Sequence, residues 1–313
     1  MKTMKSKFYS LALAAGMLTL TACSDDNTND SNNDKGNGIE NGSTLKGTIT
    51  EDVTLKAGNT YKLSGEYIVE AGATLNIEEG VKIISIYDNI VDYILVKQGA
   101  KINAVGTPDK PIVMTSEKEE PGAWGGIHIC GKAHTNAEGG KGSSEIGGAV
   151  YGGNDDADNS GTLQYIRLEY TGFAFDEEHE ANGISFYGVG NGTIVDHCEA
   201  YKGSDDGFEF FGGSVNVSNM VVVSCSDDSF DWTEGWNGKG TDLVAYQEAK
   251  ATLGYDCDCL IEADNNENDN AATPVSHPVL KNLILAGNGE SKQGIRLRRG
   301  TQADIDNAKV CGK

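Results

Sequence analysis

The chain has 313 residues, a formal net charge of −22 and a hydrophobic share of 38%. That share is enough to bury a core, which excludes a wholly disordered chain. The acidic balance argues against nucleic acid and anionic lipid surfaces as partners, because proteins bind both through basic patches. No run of about 18 apolar residues is present, so no membrane-spanning helix is expected.

Residues 1–22 are predicted to be a signal peptide. A basic start with Lys2, Lys5 and Lys7 precedes a short apolar stretch that ends in Leu-Thr-Ala before Cys23. This ending resembles the bacterial lipobox, which implies cleavage before Cys23 and lipidation of that cysteine. An ordinary signal peptide with an unrelated cysteine is the alternative. The lipid anchor would be the only contact with the membrane.

The next segment, residues 23–44, is predicted to be a disordered tether, because ten of its 22 residues are Asp or Asn. Its start, Ser-Asp-Asp at 24–26, resembles the export signal of Bacteroidetes lipoproteins. The resemblance implies exposure on the outer face of the outer membrane, with the periplasmic face as the alternative.

From residue 45 to 313, apolar and polar residues alternate as in β-strands, and short strands recur between small residues. The recurring segments are GGIHICG at 125–131, GISFYG at 183–188, GFEFFG at 207–212, SFDWTEG at 229–235 and GIRLRRG at 294–300. A longer motif, GSDDGFEF at 203–210, returns as CSDDSFDW at 225–232, an offset of 22 residues.

This repeat predicts an all-β, single-domain solenoid, a right-handed parallel β-helix with coils of about 22–24 residues. A β-sandwich is the alternative, although it needs no fixed offset between matching residues. Three segments that break the repeat, 132–160, 172–182 and 254–278, are expected to be loops. Solenoid ends need capping, so the last residues are expected to cap the helix unless the natural chain continues beyond Lys313.

Alternation along the strands predicts the direction of each side chain. The side chains expected to point into the solenoid are Phe208, Phe210, Phe230 and Trp232. The column expected to point outward contains His128, Ser185, Glu209, Asp231 and Arg296.

A family resemblance rests on five segments: WGGIHICGKA (124–133), YGGNDDADNSGTLQYIRLEY (151–170), NGISFYGVGNGT (182–193), DDGFEFFGGSVNV (205–217) and DDSFDWTEGWNGKG (227–240). They resemble a group of bacterial surface lipoproteins common in Bacteroidetes. The resemblance implies a right-handed parallel β-helix and an outer-membrane lipoprotein, and it implies no activity.

A looser resemblance is to polygalacturonase-type β-helix hydrolases, which place an Asp-Asp pair and a third Asp on adjacent coils. The pairs at 205–206 and 227–228 look like that arrangement. The Gly-His-Gly element of those enzymes is absent here, and Arg298 replaces the lysine of their Arg-Ile-Lys element.

One acidic cluster is the main candidate site: Asp205, Asp206, Glu209, Asp227, Asp228, Asp231 and Glu234. Stacking would bring like carboxylates within about 5 Å, so the cluster must be well solvated, share protons or bind a cation. Calcium suits such oxygen ligands. The alternatives are that the Asp side chains cap turn amides, or that two of them form an inverting catalytic pair.

A weaker metal site is the acidic segment that contains Asp264, Asn266 and Asn268 at alternate positions, as at the start of an EF-hand loop. The EF-hand glycine and closing glutamate are missing, so a solvated loop is the alternative.

Outward and loop residues form a candidate ligand strip for apolar and polar contacts with a sugar. Its members are His128, Ser185, Tyr187, Phe211, Trp236, Arg296 and Arg298. Export would permit disulfides among Cys130, Cys198, Cys225, Cys257, Cys259 and Cys311, with 15 possible pairings.

The first hypothesis for the function is a non-catalytic cell-surface protein that binds a glycan or another host or surface ligand, or mediates adhesion. The second is a polysaccharide-degrading enzyme, a hydrolase or a calcium-dependent lyase that uses the Asp-Asp residues. The third is a structural component of the envelope.

Overall fold

The structure is a computed structural model that describes residues 38–312, apart from residues 89, 176–178 and 291–292. Within it, Gly36–Lys313 forms one compact unit. The predicted signal peptide, the predicted lipidation site at Cys23 and the predicted tether up to residue 37 lie outside the described residues. The rest of the predicted disordered tether, residues 38–44, is instead held against the first coil: the Ile39 amide donates to the Thr54 carbonyl at 3.2 Å, and the first strand begins at Thr44.

The described residues form mainly short β-strands. In chain order these are β1 (Thr44–Ile49), β2 (Val53–Leu55), β3 (Thr60–Val69), β4 (Thr74–Ile77), β5 (Lys82–Ser85), β6 (Tyr93–Val96), β7 (Lys101–Val105), β8 (Ile112–Ser116), β9 (Ile127–Cys130), β10 (Gly142–Ser143), β11 (Val150–Tyr151), β12 (Gly161–Glu169), β13 (Ile184–Tyr187), β14 (Ile194–Tyr201), β15 (Phe208–Phe211), β16 (Asn216–Ser218), β17 (Val221–Val223), β18 (Phe230–Thr233), β19 (Lys239–Tyr246), β20 (Ile261–Ala263), β21 (Val279–Ala286), β22 (Ile295–Leu297) and β23 (Asp304–Cys311).

Helical structure is limited to a 3-10 turn at Glu138–Gly140 and the short helix α1 at Lys250–Leu253. In the part of the chain that the structure describes, no helix is long and apolar enough to cross a membrane.

The strands pair in parallel along three faces, with β10 and β11 as a separate antiparallel pair. Face A stacks β2, β4, β7, β16 and the first halves of β12, β14, β19, β21 and β23. Face B stacks β5, β8, β17 and the second halves of those long strands, with the first parts of β1 and β3. Face C stacks the ends of β1 and β3 on β6, β9, β13, β15, β18, β20 and β22. The prediction of a single-domain parallel β-helix is confirmed.

The predicted repeat appears directly in the strand register. Phe208 pairs with Phe230 and Glu209 with Asp231, which is the 22-residue offset read from the sequence. Longer coils arise where loops are inserted, as between Ile127 and its partner Ile184.

The prediction of one loop is partly wrong. Residues 254–278 were expected to leave the solenoid, yet Ile261–Ala263 forms β20, a fully buried rung of face C. Only three residues follow the strand pattern, and acidic and amide residues surround them, so the composition of the segment hides them. Therefore only residues 264–278, named loop 264–278 below, leave the coil after this rung.

The interior behind face C is a stack of aromatic rings. Phe208, Phe210, Phe230 and Trp232 are at most 2% exposed, as predicted. The rings of Phe186 and Phe210 lie 5.1 Å apart between centroids at an interplanar angle of 8°. Such offset rings add to the free energy of burial, so this stack is a main source of stability.

Trp236 belongs to this interior and not to the ligand strip. Its ring stacks on Phe210 at 4.1 Å and its side chain is 1% exposed. The strand alternation ends at Glu234 and Gly235, whose φ angles of 55° and 89° are left-handed. This turn directs the chain inward. The alternation of inward and outward side chains along a strand could not predict it.

From β12 onward, the left-handed residue at the corner between faces A and B is not glycine, whereas Gly58 and Gly80 lie at this corner in the first coils. Tyr165, His197, Asn219, Asp242, Asn282 and Asn307 occupy this corner on successive coils with φ between 51° and 59°. Asn and Asp tolerate this conformation best because their side chains bond locally. Here they also bond along the stack, as where the Asn282 amide donates to Asp242 Oδ1 at 2.9 Å.

Candidate functional site

The outer side of face C carries two columns of side chains. The first contains Leu95, His128, Ser185, Glu209, Asp231, Glu262 and Arg296. The second contains Cys130, Tyr187, Phe211, Thr233, Asp264 and Arg298. The structure therefore places the expected outward residues in register.

Loop 132–160 covers the first coils of this outer side. Its Ile146, Ala149 and Tyr151 form a second apolar cluster with Tyr187 and Phe211. Tyr187 is 0% exposed and Phe211 is 7% exposed. The expectation that these residues form an open ligand strip is wrong for this half of the face, because the loop carries its own apolar side chains.

His128 and Ser185 lie beneath the same cover, each with 0% exposure. His128 Nε2 lies 2.7 Å from the Gly125 carbonyl oxygen, and burial lowers the pKa of His128 to about 4. Asn182 Nδ2 donates to Ser185 Oγ at 3.0 Å. The described contacts give these two residues a packing role.

Farther along face C, a cavity of about 1060 Å³ separates the strands from the covering loops. Glu209, Asp231 and Thr233 form part of its floor, and Tyr187 and Phe211 line one side. This is slightly above the roughly 300–1,000 Å³ typical of small-molecule sites. We call it the face C cavity.

Two loops meet above the face C cavity. Asn136, in loop 132–160, donates from Nδ2 to Asn265 Oδ1 at 2.9 Å and to the Pro274 carbonyl at 3.0 Å. Asn266 Nδ2 donates in return to Asn136 Oδ1 at 3.0 Å. The roof is therefore held together by residues far apart in the sequence.

The floor carries two acids from the predicted cluster. Glu209 Oε2 accepts from Asn182 Nδ2 at 2.7 Å, while Asp231 Oδ1 is buried with no hydrogen-bond partner. Burial, with nearby Glu145 and Asp231, raises the pKa of Glu209 well above its usual range. Burial also raises the pKa of Asp231, with Glu262 and Asp264 adding to the effect. These carboxyl groups therefore hold protons more firmly than exposed ones.

Glu145 and Glu234 add two carboxyls to the wall. Glu234 Oε2 accepts from Thr135 Oγ1 and from the Tyr151 hydroxyl, both at 2.7 Å. Glu145 Oε2 accepts from the Tyr187 hydroxyl at 3.2 Å. Burial raises the pKa of Glu234, and burial raises the pKa of Glu145 to about 7. Glu145 and Asn182 escaped the sequence analysis because no repeat or motif marks either residue.

The arginines at the end of the columns are already paired. Arg298 donates from Nε and Nη2 to the two oxygens of Asp264, each at 3.0 Å. Arg299 Nη1 donates to Asp264 Oδ2 at 2.8 Å, and Arg296 Nη1 donates to Glu262 Oε1 at 2.7 Å. Arg298 also contacts Glu262.

These pairs rule against the EF-hand-like reading of Asp264, Asn266 and Asn268. The Asp264 carboxylate is engaged by two guanidinium groups, and Asn266 Oδ1 accepts from the backbone amides of Asn268 and Asp269. Asn268 itself is exposed. The three side chains are therefore not gathered as ligands of one ion.

The remaining acids lie at the corner before face C, and they are not well solvated. Asp205, Asp206 and Asp228 are 7%, 6% and 3% exposed. Asp206 Oδ1 accepts from the backbone amide of Asp228 at 2.8 Å, and Asp228 Oδ1 accepts from that of Cys259 at 2.6 Å. Asp206 and Asp228 thus each cap the equivalent turn one coil further on, as the turn-cap alternative predicts for these two residues.

Two groups of these acids are close enough to share a metal ion. Oxygen atoms of Asp206, Glu209 and Asp231 lie within 4.8 Å of one another, as do those of Asp205, Asp206 and Asp227. Burial raises the pKa of Asp206 well above its usual range and that of Asp228 to about 9. The groups can hold either protons or a cation.

These features define the class of protein: it is a parallel β-helix with a roofed acidic cavity on the outer side of one strand face. Residues 47–313 match the sequence model of a family described as "Pectate-lyase like beta helix domain". The chain belongs to this family. No curated protein and no solved structure matches this chain.

Proposed function

We propose that the protein binds an oligosaccharide in the face C cavity without cleaving it, and that it does so at the cell surface. The roofed cavity supports this proposal because it joins aromatic surface to polar groups. The rings of Tyr151, Tyr187 and Phe211 border the cavity but are at most 7% exposed, so they offer a narrow apolar edge beside the polar groups of the floor and wall. Sugar rings bind through such apolar surface together with a few well-placed polar groups.

A blocked cavity tests the proposal. Thr233→Trp fills the cavity from its floor, whereas Thr241→Trp adds the same bulk to the outer side of face A. On a glycan array followed by calorimetry, Thr233→Trp should lose binding and Thr241→Trp should retain it, with both melting near the wild-type temperature. Equal binding by Thr233→Trp would place the site elsewhere. A wild type that binds no glycan would favour the structural envelope alternative.

Cleavage of a polysaccharide is the second candidate, favoured by the raised pKa of Glu209 and Asp231 on adjacent rungs. An inverting pair needs carboxyl groups roughly 6.5–9.5 Å apart, but oxygen atoms of this pair lie within 4.8 Å. A lyase needs a basic side chain, and Arg296 and Arg298 are held by Glu262 and Asp264. New reducing ends or unsaturated products from a bound glycan would overturn the non-catalytic proposal.

Calcium binding by the acids at the corner and floor is a separate proposal. Chelator should lower the melting temperature and millimolar calcium should restore it, with magnesium less effective, because binding to the folded state alone stabilises it. Asp206→Ala combined with Asp228→Ala should abolish the response, measured against the chelated variant since both residues also cap turns. An unchanged wild-type melting temperature would remove calcium from the proposal.

Anchoring through Cys23 is proposed from the sequence alone. Cys23→Ala should move the protein from the membrane fraction to the soluble fraction, and protease should shave the wild type from intact cells. Retention of the variant after carbonate washing would contradict the lipid anchor. Full protection from protease would indicate the periplasmic face.

A further inference from the structure

The walls of the face C cavity are strongly acidic. Among the described residues that line it, eight are Asp or Glu and two are Arg. Both arginines donate to Asp264, and Arg298 also contacts Glu262. Their guanidinium groups are therefore engaged by acids of the preceding coil, although Arg298 also partly offsets the rise that burial causes in the pKa of Asp231 on the floor.

Four acids face the cavity, and the hydrogen bonds to three of them come from neutral groups, while His179 near Glu145 and Arg298 near Asp231 partly offset the rise in the pKa of those two carboxyls. The donors to Glu145, Glu209 and Glu234 are hydroxyl or amide groups from Tyr187, Asn182, Thr135 and Tyr151. The fourth, Asp231, has an oxygen with no donor at all.

One acceptor on the floor has no donor in the structure. It is Asp231 Oδ1, which is buried, and Asp231 is among the residues that line the cavity. Behind the floor, Asn182 is 1% exposed and uses its Nδ2 for Glu209 and Ser185, while its Oδ1 has no partner. Buried acceptors without donors are costly, so a ligand that brings donors is favoured.

We infer that the glycan bound in the face C cavity carries free amino groups, an inference that rests on the proposed function. An ammonium group brings three donors and a positive charge to carboxyl groups whose hydrogen bonds within the protein come from neutral donors, and to Asp231 Oδ1, which has none. A uronic acid glycan would instead place carboxylates against the same walls. An acetylated amino group would lose the charge and two of the three donors.

A matched pair of ligands tests the inference: a glucosamine tetramer and the same tetramer after N-acetylation, titrated by calorimetry with chelator present. The glucosamine tetramer should bind at least about tenfold more tightly, because charge-assisted hydrogen bonds are stronger than neutral ones.

Variants test whether the carboxyl groups of the floor cause the preference for the glucosamine tetramer. Glu209→Gln with Asp231→Asn should bring the two tetramers to similar affinity without abolishing binding of the acetylated one. Asp306→Asn removes an exposed acid from face A and should keep the wild-type preference. Retention of the preference by the double variant would overturn the inference.

Further outcomes separate the inference from the proposed function. Equal or tighter binding of the acetylated tetramer would overturn the inference and leave glycan binding intact. Tight binding of oligogalacturonate, with chelator or with calcium, would also overturn it. Failure of every oligosaccharide in the panel and on the array would overturn the proposed function and the inference together.

Discussion

Faces A and C are built from the same repeat but differ on their outer sides. Both bury one row of side chains in the interior, such as Leu163, Val195 and Val217 on face A. The outer side of face A has no such roof, and Ile194 there is 52% exposed. The outer side of face C lies beneath two loops that enclose an acidic cavity. The repeat thus builds the scaffold, and the insertions convert one of its faces into a candidate site.

The largest effect should come from the interior of face C. Phe210→Ala removes a ring that stacks on Phe186 and Trp236, so the free energy of unfolding should fall by about 3–5 kcal/mol. Urea denaturation measures this loss. A loss below about 1 kcal/mol would mean that the aromatic stack does not hold the coils together.

Replacing an acid beneath the roof should raise the free energy of unfolding instead of lowering it, and should do so only at higher pH. Because the pKa of Glu145 is raised to about 7 by burial, the wild type loses stability as pH rises from about 4.5 to 7. Glu145→Gln can still accept from Tyr187 but cannot ionise.

This variant should therefore match the wild type at pH 4 and exceed it at pH 8, by at most about 3 kcal/mol. Thermal unfolding at the two pH values measures the difference. An equal difference at both values would show that burial does not perturb the ionisation of Glu145.

The smallest effect should come from the outer side of face A. Ile194→Ala removes an exposed side chain that no described loop covers. The free energy of unfolding should therefore change by less than about 0.5 kcal/mol. The same urea experiment measures it. A loss as large as that of Phe210→Ala would indicate that face A is covered in solution, which would remove the contrast between the two faces.

The sequence predicted the parts of the molecule that repeat. The matching motifs at 203–210 and 225–232 predicted that Phe208 stacks on Phe230 and Glu209 on Asp231, because a fixed offset fixes the register. Alternation also predicted correctly that Phe210 and Trp232 are buried.

The parts that depend on single contacts could not be predicted. The left-handed turn at Glu234 places Trp236 inside, and loop 132–160 buries Tyr187. β20 has too few residues to show a period. In each case the outcome depends on tertiary packing between segments distant in the chain.

The contacts of Asn136 with Asn265 and Pro274 join segments separated by more than 120 positions. In a solenoid each coil needs only its neighbours, so folding can advance coil by coil as the chain is made. The roof cannot form coil by coil, because loop 132–160 can make its contacts only after loop 264–278 is present. A chain that has emerged only as far as β18 could have native coils and still lack the enclosed cavity. Ligand recognition would then begin late, as a property of the completed chain and not of any one coil.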